Sequence, residues 1–285
     1  MSLRALPPPD PSPRPMLRLA NVRKTFNPRT SNEVRALQGI DLTLDQGGFT
    51  IVIGTNGSGK STLLNAVAGS FQVDEGTILL DGIDITRWPE HRRAALIGRG
   101  FQNPFSGSAP SMTIAENLIM AARRGQSRGL GWALKASMRQ ELRARVSKLK
   151  LGLEDRLDNA IGSLSGGQRQ ALTLLMASWV QPRLVLLDEH TAALDPKSAD
   201  LVIRLSEDIV ARDRLTTLMV THSMQQASNL GDRLIMMHRG TVLHDFHGAE
   251  KRRLRPADLL GRFESVRRAE QLDETAAEML RRMYV

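Results

Sequence analysis

The 285-residue sequence contains no cysteine, which excludes a disulfide scaffold, a thiolate zinc or iron–sulfur site and a thiol nucleophile together. Aromatic residues are scarce at 4%, with a single tyrosine, too few for the stacking platforms that grip single-stranded nucleic acid. No apolar run approaches the roughly 18–20 residues of a membrane-spanning helix; the longest, Ala171 to Val180, is interrupted by Thr173 and Ser178. The opening stretch MSLRALPPPDPSPRP lacks the apolar core of a secretion signal, so the expected location is cytoplasmic.

What is present is an ordinary globular composition, 41% hydrophobic and 24% charged, enough to bury a large core. The formal charge is +9, and the stretch from Ala121 to Lys150 carries nine basic side chains against one acid, Glu141. Such a segment reads as a solvated helix face or as a surface turned to an anionic partner.

Residues 1–15 carry six prolines and read as a disordered or extended arm. From Met16 the segments LRLANV and IDLTL alternate as short strands. FTIVIG (Phe49–Gly54) is a continuous apolar run stopped by glycine, the pattern of a strand buried on both faces. A helix is expected from about Lys60 to Gly69, strand-like alternation in GTILLDGIDI, and basic helices between Met112 and Gly152. RLVLLD (Arg183–Asp188) and TTLMVTH (Thr216–His222) read as two more buried strands. Strands alternating with helices predict an α/β fold with a largely parallel sheet covered on both sides.

The stretch Gly54, Thr55, Asn56, Gly57, Ser58, Gly59, Lys60, Ser61, Thr62 fits Gly-x4-Gly-Lys-Ser after a strand and before a helix. Its glycines let backbone N–H groups turn inward on phosphate oxygens at a helix N-terminus. Lys60 is placed to reach β- and γ-phosphates, and the Ser61 hydroxyl to hold Mg²⁺. In LVLLDEH, Asp188 ends a buried strand where a carboxylate suits Mg²⁺, and Glu189 next to it is the candidate general base for an attacking water. A third element, Leu164-Ser165-Gly166-Gly167-Gln168, opens another apolar helix. It is a second anion-binding helix end in one chain. One nucleotide does not need two cradles on one subunit, so the second is expected to close over the γ-phosphate held by another copy.

With these motifs the sequence resembles the ATP-binding subunits of ABC transporters over about residues 16–240. The resemblance implies a P-loop NTPase (RecA-like) core, an N-terminal antiparallel β subdomain, a helical subdomain inserted at about 103–160, and a C-terminal strand and helical extension over 241–285. It also implies that Phe26 stacks on adenine and that Gln102 touches Mg²⁺ and the attacking water. His222 would contact the γ-phosphate, and Asp195 would lie in the loop that crosses the dimer interface. His190 stands where many members have proline. The strings DEHTAALDP, GSAPSMTIAENL and DRLIMMHRG look like an importer subgroup associated with binding proteins of the tryptophan/tyrosine type. The remaining histidines, His91, His190, His238, His244 and His247, show no metal-ligand spacing.

Taken together, the resemblance implies an ATP- and Mg²⁺-dependent ATPase that drives solute import as a homodimer. Its partners would be a separate membrane permease and, through it, an extracytoplasmic substrate-binding protein. Its place would be peripheral, on the cytoplasmic face of the inner membrane, with no nucleic acid involved. A soluble ABC ATPase acting on DNA or ribosomes is the alternative, although one uninterrupted cassette shows neither the doubled nor the split form of those members. A P-loop kinase leaves Ser165–Gln168 and His222 unexplained.

Overall fold

The computed structural model describes residues 15–103, 105–126, 136–266 and 268. Nearly all of the proline-rich arm, residues 127–135 of the basic segment and most of the chain beyond residue 266 lie outside the described residues.

Two sheets carry the molecule. The first is antiparallel, in the order β2-β1-β4-β5, from β1 (Leu17–Phe26), β2 (Val34–Leu44), β4 (Glu75–Leu80) and β5 (Ile83–Asp84). The second has the order β10-β9-β3-β8-β7-β6, from β3 (Phe49–Gly54), β6 (Ile97–Gly100), β7 (Leu184–Asp188), β8 (Thr217–Val220), β9 (Arg233–His238) and β10 (Thr241–His247). Its strands are parallel except for β10, which pairs antiparallel with β9. The helices are α1 (Lys60–Ala68), α2 (Glu90–Arg93), α3 (Ile114–Ala122), α4 (Ala136–Ser147), α5 (Gly166–Ser178), α6 (Pro196–Asp213), α7 (Met224–Asn229) and α8 (Gly248–Arg253). A further helical stretch covers residues 256–266.

The two-residue period of the strands divides the apolar side chains between two cores. Val52, Leu186, Leu218, Val220 and Ile235 face α1 and the antiparallel sheet, where Leu63, Leu64 and Ile78 complete one core. Ile51, Ile53, Leu187, Met219 and Leu234 face the other way, onto α3, α4, α5 and α6 through Leu118, Leu142, Leu172 and Ile209. Each such side chain, fully buried, contributes about 1.5–3 kcal/mol. The main sheet is therefore covered on both faces, as continuous apolar strands require.

The strands read from the sequence extend further in the fold. β1 and β2 are 10 and 11 residues long, because register shifts after Leu19 and at Val22 let the pairing run on past Asn21, whose φ is 47°. The β9–β10 hairpin turns on Arg239 and Gly240, both at positive φ, as a tight two-residue hairpin turn demands. The expected cassette boundary at Gly240 therefore falls inside a hairpin of the main sheet, and β10 belongs with that sheet rather than with a separate extension. Several described cations of the basic stretch have partners, two of them acids from outside it. Arg139 pairs with Asp158, Arg143 with Asp155 and Arg145 with Glu141, while Arg124 donates to the Ala177 carbonyl.

Two buried polar side chains fix the elements that flank the site. Arg93, only 1% exposed, donates to the carbonyls of Ala66, Val67, Trp88 and Thr86 at 2.7–3.0 Å. It caps the C-terminal end of α1, where a cation also meets the negative end of the helix dipole. Gly69, at φ 85°, must lack a side chain because a Cβ would approach Arg93 Nε to 2.8 Å. His190 is likewise buried and joins the end of β7 to α6 through Nε2 and Ser206 Oγ, 2.8 Å apart. Ser206 donates to the Val202 carbonyl, so its oxygen accepts and His190 carries its proton on Nε2.

Replacing Arg93 with Met leaves four buried carbonyls short of a donor. The expected loss is about 3 kcal/mol in urea unfolding; a loss under about 1 kcal/mol contradicts the capping role. Burial holds the His190 pKa down at about 4. The unfolded chain takes up this proton near pH 6.5 and the folded chain only near 4, so stability is full above 6.5 and falls as the pH drops through that window. The slope is about 1.4 kcal/mol per pH unit. The apo His190→Asn protein should lose that share of the slope; an unchanged acid profile contradicts the burial argument.

Candidate nucleotide-binding and hydrolytic site

The site forms at the C-terminal ends of the parallel strands, where open α/β sheets place ligands. Val220 of β8 stands opposite both Val52 of β3 and Asp188 of β7. This register delivers the loop after β3, the carboxylates after β7 and the histidine after β8 to one edge.

The loop from Gly54 to Gly59 is shaped by crowding. A Cβ on Gly54 would lie 2.4 Å from both the Met237 carbonyl and Ser58 Oγ, and one on Gly59 would lie 2.4 Å from the Ala36 carbonyl. Gly57 and Gly59 take φ of 77° and 97°, which favour glycine. Lys60 opens α1 and is buried, with Nζ donating to the carbonyls of Gly54 (2.9 Å) and Thr55 (3.0 Å). Burial pushes its pKa down, while the carboxylates of Glu189 and Asp188 push it up. The buried Ser58 hydroxyl has no hydrogen-bond partner. An unpaired donor, a buried ammonium folded over a glycine loop and a helix N-terminus together fit a phosphate group. Thr62 follows in the first turn of α1.

Beside the loop, Ser61 Oγ donates to Asp188 Oδ1 at 3.3 Å. Burial raises the Asp188 pKa, opposed by the Ser61 hydrogen bond and by Arg99, Lys60 and His222. A half-buried carboxylate against a hydroxyl fits a Mg²⁺ held mainly by phosphate oxygens, which needs few protein ligands. No group of three or more acidic or histidine side chains among the described residues could hold a metal by itself. Glu189 sits at φ 45°, a costly conformation for a side-chain-bearing residue. Its Oε1 lies 2.6 Å from His222 Nε2, with Glu189 12% and His222 46% exposed. The pair therefore stands at a solvent-open edge.

The remaining expected residues divide into two groups. Gly54–Ser58 and His222 line one cleft of about 530 Å³, together with Met224, His238, Arg239 and Phe263. Gln102 is exposed in the bend after β6 and does not line this cleft. Phe26 ends β1, half-buried. Ser165, Gly166, Gly167 and Gln168 also stand outside the cleft, at the N-terminus of α5. There Ser165 Oγ accepts from the Gln168 N–H and Gln168 Oε1 accepts from the Ser165 N–H, both at 3.3 Å, a reciprocal cap. A Cβ on Gly167 would reach Ser198 at 2.8 Å, so the start of α5 lies hard against α6. Asp195 caps that helix, accepting from the Ser198 N–H at 3.0 Å, and hydrogen bonds from Ser198 hold its carboxyl below the usual range.

Sequence reasoning missed two residues that shape the site. Gln226 of α7 accepts from Thr221 (2.6 Å) and donates to Thr191 (3.3 Å), tying the Glu189 segment to the His222 segment. Arg169, buried in α5, donates to the carbonyls of Ile161, Gly162 and Leu164 and so fixes the approach to Ser165. No local pattern marks either residue, because their partners come from distant segments or from loop backbone.

Comparison with known proteins agrees with this geometry. The ABC transporter family profile matches residues 37–192. The tyrosine transport ATP-binding protein of Clostridioides difficile is 41% identical over 249 residues, covering 87% of this chain and 99% of that protein. The lipoprotein-releasing system ATP-binding protein LolD 1 of Caulobacter vibrioides is 35% identical, covering 75% and 89%. A dimeric ATP-binding cassette solved in a post-hydrolysis state with ADP and Pi superposes with a TM-score of 0.70 at 28% identity, covering 81% of this chain and 98% of that one. The chain belongs to the ABC transporter family and is an ATP-binding subunit that couples ATP hydrolysis to transport.

Proposed function

We propose that this chain is the ATPase of a solute importer, acting as a homodimer beneath a separate permease on the cytoplasmic face of the inner membrane. An extracytoplasmic binding protein delivers the solute to that permease. The relative named for tyrosine transport supports an aromatic amino acid as the solute class. Among the described residues no helix is long and apolar enough to cross a membrane; in this reading membrane contact is peripheral and runs through the permease. Action on DNA or ribosomes is not favoured, since the relatives described above are transport ATPases.

The observation that carries the mechanism is the 2.6 Å contact of Glu189 with His222 beside the phosphate loop. Lys60 and backbone N–H groups where the loop opens α1 bind the phosphates, and the Phe26 ring takes the base. Ser61, Asp188 and Gln102 would hold Mg²⁺, which when bound supplies positive charge against the β- and γ-phosphoryl oxygens. Glu189 orients a water and takes its proton, and His222 holds the Glu189 carboxylate in place. The Ser165–Gln168 helix end of a second copy, with its Asp195 loop, completes the site. The cap consumes the Gln168 N–H, which leaves the amides of Gly166 and Gly167 to face an anion.

The purified chain should hydrolyse Mg-ATP, and Glu189→Gln should lower turnover at least about 100-fold while ATP binding persists. Wild-type turnover by that variant contradicts the assignment of the base. Purification from membranes should bring down a multi-span permease; recovery with ribosomes or DNA contradicts the importer reading.

A further inference from the structure

Around Phe26, at the end of β1, stand three side chains with no role in the mechanism above: Phe71, Lys24 and Asp74. Phe26 is half-buried at the end of β1 and belongs to neither apolar core, whereas Phe71, two residues past the Gly69 cap of α1, packs against the core under the antiparallel sheet. The rings meet edge to face, with centroids 5.3 Å apart and planes at 83°, inside the range where aromatic quadrupoles attract. Lys24 Nζ lies 5.5 Å from each centroid, so the ammonium and the two rings form a nearly equilateral triangle.

Asp74 closes the cluster. Its carboxylate accepts from Lys24 Nζ at 2.8 Å and from the Thr25 N–H at 2.6 Å, and its own N–H donates to the Arg23 carbonyl at 2.9 Å. Three successive residues of β1 thus fasten the loop that carries Phe71. Burial pushes the Asp74 carboxyl up, but the bonds from Lys24 and Thr25 bring it below its ordinary range, so the clip is ionised at neutral pH.

We infer that Phe71, clipped to β1 through Asp74 and Lys24, is a positioning residue that fixes the Phe26 ring for stacking on the base of the bound nucleotide. The inference rests on the reading of Phe26 as the base-stacking residue. A ring at the end of a strand, outside the core, loses rotamer freedom when a ligand stacks on it, and that loss weakens binding. A core-anchored ring packed against it removes the competing rotamers before the nucleotide arrives. Phe71 and Lys24 both approach the Phe26 ring, and the base would stack on the ring surface they leave open. Stacking reads a π-face rather than a hydrogen-bonding edge, so Phe71 should strengthen binding of any nucleotide that carries a base and leave the bare phosphate chain unaffected.

The test is calorimetric affinity for Mg-ATP and for Mg-tripolyphosphate, which has no base, measured in the Glu189→Gln protein. Phe71→Leu should weaken ATP about threefold to tenfold and leave tripolyphosphate unchanged, and Phe71→Tyr, which keeps the ring, should restore ATP affinity. In a Phe26→Ala background, Phe71→Leu should add no further loss. Equal weakening of tripolyphosphate, an additive loss in that background, or no loss for ATP while Phe26→Ala shows one, overturns the role of Phe71. If Phe26→Ala itself leaves ATP affinity unchanged, the base-stacking reading fails first and the inference falls with it.

Discussion

The phosphate loop holds its course because two strands leave no room for a side chain at either end of it, at Gly54 and at Gly59. The Met237 carbonyl of β9 closes on Gly54, and the Ala36 carbonyl of β2 closes on Gly59. The β9–β10 turn is wedged into the same place: the Gly240 N–H donates to the Ser58 carbonyl, and the Gly240 and Arg239 carbonyls accept from Gln38. The antiparallel sheet, the main sheet and the loop are thus joined at one point. Any Cβ at Gly54 or Gly59 must move a strand of one sheet or the other, and a packed interior yields little. Phosphate binding and the joining of the two sheets depend on the same few atoms of backbone.

Charge is arranged around that point with the same economy. Lys60 loses hydration on burial and is compensated by two carbonyls and two carboxylates, while Asp188 is half-buried against Ser61 and three cationic or titratable neighbours. Such compensated charges are expensive to leave half-paired, so the cluster stays fixed and preorganised for a charged ligand. The Glu189–His222 pair differs in being open to solvent on its histidine side. The Gln226 bridge from Thr221 to Thr191 holds the two segments bearing this pair together. The rigid part binds, and the open pair is free to respond to what approaches.

Much of this was legible in the sequence wherever a local pattern carries the physics. β3, α1, β7 and β8 stand where apolar runs, glycines and caps place them, and the order of the site residues fixes their common edge. β6 was not legible, because IGRG has no apolar run; Gly98 is there because a Cβ would come 2.3 Å from the Ala177 carbonyl of α5, a contact with a distant segment. The burial of His190, the pairing of the α4 arginines with Asp155 and Asp158, and the contact of Phe26 with Phe71 are likewise meetings of distant residues. The antiparallel strands were read short because the bulges around Asn21 break the alternation while the pairing continues.

The central claim is that each hydrolytic site joins the phosphate loop of one chain to the Ser165–Gln168 helix end of another. Mixing two variants tests it most directly. In the Glu189→Gln background, Lys60→Ala removes one half-site and Ser165→Arg blocks the other, so neither variant alone should form an ATP-retaining dimer. A mixture should form heterodimers with one intact composite site, which light scattering with nucleotide quantification would record as one ATP per dimer. Dimers that retain ATP in either variant alone, or a mixture that stays monomeric with ATP, would contradict the shared site.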